Sequence, residues 1–201
     1  MILAGGQSRR FGQDKALATL GGRTLLEHVA ASLAHCPRRL LLAPPGRYEL
    51  TGWEQRQEAR AGEGPLAALE TALAWSQAVG LGWAAVSSVD TPLLTPEMWA
   101  ALWEALCEAR QQAPSPISVV GWRDEQGRGQ PLLALYRVEG LPRITAALDS
   151  GERRLQAAHA GAGALWLQPE ALGFSPMRLR DADTPEALQE LEAWAAQPPT
   201  L

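Results

Sequence analysis

Met1-Ile-Leu-Ala-Gly-Gly-Gln-Ser-Arg-Arg-Phe-Gly-Gln-Asp-Lys15 runs a short apolar segment straight into paired glycines, two arginines, a third glycine and a lysine. That order builds an anion cradle at the end of a buried strand. Gly5 and Gly6 lack a Cβ, so the backbone turns sharply and its N–H groups can approach a phosphate. Arg9, Arg10 and Lys15 add positive charge in the same loop, Arg suited to a bidentate grip and Lys to a point contact. The bland alternative is a solvated Gly-Gly turn. Two familiar phosphate loops are excluded: no Gly-Lys-Ser or Gly-Lys-Thr occurs, and the adjacent glycines break the Gly-x-Gly-x-x-Gly spacing.

Outward from this loop, strand and helix signals alternate. This is the pattern of an α/β fold, a mixed and mainly parallel sheet with helices on both faces. Residues 1–3 give a short first strand. Thr24-Leu-Leu-Glu27 reads as a capping box opening a helix to about Leu33. Residues 40–42 read as a buried strand followed by the loop Pro44-Pro45-Gly46. Pro65 starts a helix with Leu66, Leu69 and Leu73 at helical spacing. Residues 83–89 are the next strand, and Thr95-Pro96-Glu97 opens a helix with Trp99, Leu102, Trp103 and Leu106 along one face.

Residues 116–121 and 131–136 read as strands around a charged turn. Residues 144–148 and 153–159 read as short helices, and 165–168 and 177–179 as small strands. Thr184-Pro185-Glu186 opens a last helix. No repeat or linker divides the chain, so residues 1–201 are expected to form one domain.

With 201 residues, 46% of them hydrophobic and 20% charged, the chain is of globular composition. Its 18 basic residues against 22 acidic ones give a net charge of −4, which argues against binding nucleic acid or an anionic membrane. Any phosphate grip must therefore be local. No apolar run reaches the ~18 residues of a membrane span, and no signal-peptide pattern opens the chain. Cys36 and Cys107 match no metal spacing and read as buried small side chains of a reducing compartment. A cytoplasmic protein is expected.

Asp90 ends the strand at 83–89, just before Thr91-Pro92. The carboxyl ends of parallel strands form the ligand crevice, and a carboxylate there suits Mg²⁺ held against nucleotide phosphates. Its alternative role is to cap the Thr91–Pro92 turn. Gly64-Pro65-Leu66-Ala67 places a helix N-terminus, with its positive dipole end, after Gly62 and Gly64. Arg153 and Arg154 read equally as phosphate contacts or as a solvated face. Asp183, before Thr184, reads as a metal carboxylate or as the cap of the last helix.

Leu3 to Lys15 closely resembles the signature Leu-Ala-Gly-Gly-x-Ser-x-Arg-x-Gly-x-Asp-Lys of nucleotidyltransferases with a Rossmann-like domain. Within that group it is most similar to molybdenum cofactor guanylyltransferase, which joins GMP to molybdopterin. The likeness continues at Gly22-Arg23-Thr24-Leu25, Gly64-Pro65-Leu66-Ala67, Val89-Asp90-Thr91-Pro92, Gly129-Gln130-Pro131, Gly151-Glu152-Arg153-Arg154 and Asp181-Ala182-Asp183-Thr184-Pro185-Glu186.

The resemblance implies GTP and molybdopterin as substrates and Mg²⁺ as cofactor. Leu3, Ala4, Gly5, Gly6, Lys15, Gly64, Pro65, Leu66 and Asp90 would bind nucleotide. Lys15, Arg10 and Asp90 would be catalytic, and Asp90 and Asp183 would hold the metal. Gln130, Pro131, Arg153 and Arg154 would face the pterin. A monomer with transient contacts to other molybdenum cofactor proteins is expected.

This chain departs from the family pattern in four places. Ala68 replaces a glycine, Asp181 and Asp183 replace asparagines, and Ala43-Pro44 stands where an Asn touches the nucleotide. Gln57 and Glu58 lie nearest the expected acidic contact. Two other readings remain: a cytidylyl or sugar-phosphate nucleotidyltransferase, and a non-catalytic pterin-binding protein. Paired Gly5-Gly6 leaves room for a purine, and Lys15 with Asp90 favours catalysis.

Overall fold

Leu40, Leu41 and Leu42 are all buried, which a strand permits only when both its faces are covered. The computed structural model, which describes residues 1–6, 11–112, 117–161 and 163–197, shows that arrangement. Its strands are β1 (Ile2–Leu3), β2 (Thr19–Leu20), β3 (Arg23–Thr24), β4 (Leu40–Leu42), β5 (Glu54–Arg56), β6 (Trp83–Ser88), β7 (Ile117–Arg123), β8 (Gly129–Arg137) and β9 (Gly163–Leu167). The helices are α1 (Leu25–Ser32), α2 (Pro65–Ala78), α3 (Pro96–Gln112), α4 (Leu141–Asp149) and α5 (Pro185–Ala195).

One seven-stranded sheet has the order β5-β4-β1-β6-β8-β7-β9, while β2 and β3 form a separate hairpin. Among the described residues only β8 runs against its sheet neighbours. The mixed, mainly parallel α/β fold is thus the one expected. The chain steps outward from β1 to β4 and β5, then returns across β1 to β6. That reversal is the topological switch point, where ligands bind beyond the strands' carboxyl ends.

The helices divide between the two faces. Leu66, Leu69 and Leu73 of α2 pack with Ile144 and Leu148 of α4 against Leu40, Leu42 and Val86. Leu26, Val29 and Leu33, at the end of α1, join Met98, Leu102 and Leu106 of α3 against Ile2 and Leu41 on the other face. Each fully buried Leu contributes about 1.5–3 kcal/mol. A third cluster joins Phe11, Leu20, Leu25 and Leu93 to Leu191 of α5, fastening the chain's last helix beside its first loop.

The expected capping box is present: Thr24 Oγ1 accepts from Glu27 N at 3.2 Å, and Glu27 Oε2 accepts from Thr24 N at 2.7 Å. Four readings are corrected. Residues 177–179 form a 3₁₀ turn, Pro176–Leu179, started by Pro176 and capped by Ser175. Within 153–159 only Leu155–Ala158 is helical, again 3₁₀. Trp103 is 47% exposed and meets Trp83 edge-on at 6.4 Å, off the buried face. Cys107 is exposed rather than buried. Among the described residues no helix is long and apolar enough to cross a membrane.

Candidate active site

β1 ends at Leu3, and Ala4 N still donates to Leu42 O at 2.9 Å. That N–H continues the sheet, so Ala4 lines the site without an amide to spare. The expected phosphate cradle is thus left to Gly5 and Gly6. At Gly5 a Cβ would lie 2.5 Å from Glu58 Oε1, so glycine lets that carboxylate close over the turn. Arg9 and Arg10 lie outside the described residues.

After this turn, Asp14 caps the 3₁₀ turn Lys15–Leu17 by accepting from Ala16 N at 3.2 Å. The same carboxylate accepts from Arg47 Nε at 2.8 Å and from the Tyr48 hydroxyl at 2.9 Å. Burial, then Asp14, pushes the Tyr48 phenol well above its ordinary range, so it stays a donor. The loop after β4 thereby clamps the base of the Lys15 turn.

Lys15 points to the carboxyl edge of β6. Its Nζ lies 2.6 Å from Asp183 Oδ1 and 3.4 Å from Asp90 Oδ2. The Lys15 side chain is 12% exposed, against 27% for Asp90 and 31% for Asp183. Asp90 is held from both sides. Ser88 Oγ donates to its carboxylate, and its carbonyl accepts from Ala182 N at 2.7 Å. That backbone bond ties the Asp181–Asp183 segment to the end of β6. Asp183 is not the helix cap, because Thr184 accepts from Ala187 N at 3.2 Å and caps α5 itself.

A cavity of about 520 Å³ lies over this edge, walled by the Gly5–Gly6 turn, Lys15, Glu58, Gly64 with Pro65, Asp90 and Asp183. Leu3 and Ala4 line it too. Leu66 does not; it is fully buried in the core beneath α2, a correction to its expected place in the nucleotide site. Gly64 has φ +88°, a conformation that side chains rarely adopt, and it turns the chain into α2. Burial raises the Glu58 carboxyl above its usual range.

A second cavity, about 450 Å³, adjoins the first and shares Pro65, Ser88, Asp90 and Leu132 with it. Gln130, Pro131, Arg153 and Arg154 line it, so all four expected pterin-facing residues fall together. Antiparallel pairing explains Gln130 and Pro131. Ser87 pairs with Leu133, which puts the start of β8 beside the end of β6.

The two arginines differ. Arg153 binds Leu148 O at 2.8 Å and Glu152 O at 2.9 Å and faces Glu63 Oε2 at 3.0 Å, so it fastens the loop. Arg154 is exposed, and Glu152 Oε1 holds only its backbone N–H, at 2.7 Å.

The donor set fits the Mg²⁺ that the sequence implies. Two hard carboxylates, Asp90 and Asp183, converge on one cationic position, that of the Lys15 ammonium. The carboxyl of a third, Asp181, is pushed up by burial and then by Asp183 and Asp90, a sign of surplus negative charge. Among the described residues no cluster of three or more metal-binding side chains gathers. Mg²⁺ commonly takes one or two carboxylates and completes its shell with water and substrate phosphates.

Sequence similarity names the family. A sequence model of the MobA-like NTP transferase domain matches residues 1–162. A probable molybdenum cofactor guanylyltransferase of Deinococcus radiodurans is 52% identical over 155 residues, 77% of this chain and 75% of that protein. The chain belongs to this family. The molybdenum cofactor guanylyltransferase of Rhodobacter capsulatus is 31% identical over 195 residues, 96% of this chain and 93% of its own length.

The fold is shared more widely than the family. The crystal structure of molybdopterin-guanine dinucleotide biosynthesis protein A from Archaeoglobus fulgidus superposes with a TM-score of 0.75 at 22% identity, covering 97% of each chain. The 2-C-methyl-D-erythritol 4-phosphate cytidylyltransferase of Thermus thermophilus gives 0.68 at 19% identity over 98% of each.

Within the guanylyltransferase frame, three polar residues lining the larger cavity have no role read from sequence. Asp14 carried a faint signal, an Asx cap directly before Lys15. Tyr48 and Ser88 carried none, since a loop tyrosine and a strand serine look ordinary until the fold brings them to Asp14 and Asp90.

Proposed function

We propose that this guanylyltransferase-family chain transfers GMP from GTP to the phosphate of molybdopterin, giving the guanine dinucleotide cofactor and pyrophosphate. The observation that carries the reading is Asp90, with Lys15 beside it, standing on the wall that two adjoining cavities share. Nucleotide occupies the larger cavity and pterin the smaller, and the reacting phosphates meet at that wall.

An acceptor phosphate oxygen attacks the α-phosphorus in line. The bond to the bridging oxygen breaks, and pyrophosphate leaves with its electrons. No side-chain nucleophile is needed, so catalysis is positioning and charge compensation. Lys15 offsets charge on the α-phosphate, with its reach set by the Asp14 clamp. Gly5 and Gly6 offer amides to the triphosphate, Arg10 meets the departing pyrophosphate, and Arg154 steadies the acceptor phosphate. Asp90 and Asp183 would hold Mg²⁺, which when bound supplies further charge neutralisation.

Glu58 supports guanine over the other bases. A carboxylate accepts from the N1–H and 2-amino groups of guanine together, a pair that adenine and cytosine lack. The reading takes the enzyme as cytoplasmic and monomeric, meeting other cofactor-handling proteins only transiently.

Pyrophosphate release from GTP, CTP or ATP with Mg²⁺, with and without molybdopterin, tests the assignment. Release requiring both GTP and the pterin is expected. Equal kcat/KM for CTP would turn the reading toward a cytidylyltransferase, and no release from any nucleotide would leave a pterin-binding protein.

A further inference from the structure

The pterin cavity has two borders. Pro65, Ser88, Asp90 and Leu132 face the nucleotide cavity, while Gln130, Leu179 and Asp181 face a third cavity of about 260 Å³. On the second border one contact fixes a direction. Gln130 Nε2 donates to Asp124 Oδ2 at 3.0 Å. Asp124 stands behind Gln130, in the wall of the third cavity.

The contact has one possible sense. An ionised carboxylate accepts and cannot donate, so the Gln130 amide must turn its NH2 toward Asp124. The charge on Asp124 is secured locally. Burial opposes it, but the Arg128 amide and guanidinium and the Gln126 amide outweigh burial and hold the carboxyl below its usual range. Its two oxygens serve different partners. Oδ1 accepts from Gln126 N at 3.0 Å and from Arg128 N at 2.9 Å, which closes the β7–β8 turn. Oδ2 accepts from Arg128 Nε at 2.8 Å and from Gln130. Gln130 Oε1 is left over: it has no hydrogen bond among the described residues and is not shut off from solvent.

We propose that Asp124 is a positioning residue that makes Gln130 present its carbonyl oxygen, not its NH2, to the acceptor substrate. The inference rests on molybdopterin being that acceptor. A pterin ring carries a 2-amino group beside a ring N–H, and an oxygen at this border accepts from such donors. Asp181 adds a second oxygen acceptor to the same border. Recognition is then by hydrogen-bond polarity. A ligand edge that offers only lone pairs would oppose Gln130 Oε1 with no proton between them.

Asp124→Asn reverses the polarity at one atom. Its Oδ1 keeps both turn bonds, while an NH2 in place of Oδ2 donates, so Gln130 must turn its own NH2 to the cavity. Metal-free molybdopterin is titrated without GTP, by quenching of tryptophan fluorescence, into wild type and three variants. These are Asp124→Asn, the double change Asp124→Asn with Gln130→Glu, and Arg128→Gln. Asp124→Asn is expected to weaken binding about tenfold. The double variant should return to within about threefold of wild type, because a carboxylate at position 130 accepts from the new amide and keeps one oxygen toward the pterin. Arg128→Gln removes the ion pair, leaves the Gln130 contact alone and should bind as wild type. KM for GTP stays unchanged in all three.

An Asp124 that only closes the turn would behave differently, because a loosened turn is not repaired by a second change at Gln130. Binding by a folded Asp124→Asn equal to wild type overturns the proposal, and so does a double variant no better than Asp124→Asn. Where wild type still transfers GMP to molybdopterin, the parent reading survives either result. Should Asp124→Asn fold poorly, Gln130→Met carries the comparison. It keeps the length and removes both amide groups, so an affinity equal to wild type overturns the proposal. A wild type that neither binds nor modifies molybdopterin removes both.

Discussion

Lys15, Asp90 and Asp183 form one charge cluster, and its two carboxylates are tested by changes that keep their size. Asp90→Asn is expected to cut turnover on the order of 10²–10³-fold with the fold intact, since it removes a charge where the phosphates react. Near-normal turnover at saturating Mg²⁺ would remove Asp90 from the reaction. Asp183→Asn should raise the Mg²⁺ needed for half-maximal activity. Its thermal stability should change little, because Thr184 rather than Asp183 caps α5 and the pair with Lys15 is partly exposed.

Glu58 links function to pH at the same scale. Burial raises its carboxyl pKa, so in the folded protein the charged form is the costly one. That cost is absent below the unfolded pKa, about 4.3, and grows as pH rises through the folded value. Glu58→Gln is therefore expected to stabilise the ligand-free protein at pH 7, with the gain fading toward pH 4, while weakening GTP preference. Thermal melts at both pH values and kcat/KM for GTP against ATP decide it. A gain over wild type no larger at pH 7 than at pH 4 would contradict the burial argument.

At the scale of elements, legibility followed how local the signal was. The capping box at Thr24, the proline start of α2 and the triple leucine of β4 are written within a few residues, and each formed as read. Thr24→Ala should cost about 0.5–2 kcal/mol in denaturant unfolding and leave activity unchanged. β5 escaped notice because Glu54, Gln55 and Arg56 make a polar edge strand with no apolar alternation; only pairing with β4 shows it. Residues 177–179 misled in the other direction, since three residues after Ser-Pro suit a 3₁₀ turn as well as a strand. Gly64 joins element to site. Gly64→Ala, forced to φ +88°, should cost about 1–3 kcal/mol and raise KM for GTP, measurable by melts and initial rates.

Across the whole molecule, the sequence disclosed the first cavity better than the second. The nucleotide edge is built from segments that announce themselves, the Gly5–Gly6 turn, Gly64-Pro65 and Asp90. The pterin side depends on an antiparallel β8 that brings Gln130 beside Asp90 from forty residues away in sequence, a placement no local pattern encodes.

The shared wall of Pro65, Ser88, Asp90 and Leu132 has a kinetic consequence. On the proposed reading each cavity holds one substrate, and their phosphates meet without an intervening protein nucleophile. Transfer should then proceed through a ternary complex in one displacement. Initial-rate plots against GTP at several pterin concentrations should intersect rather than run parallel. With a GTP chirally labelled by sulfur at the α-phosphorus, the dinucleotide product should show inverted configuration. Parallel lines together with retention would mean two displacements through a guanylylated side chain. Lys15, beside Asp90 at this wall, would then be the first residue to examine for a covalent bond to phosphorus.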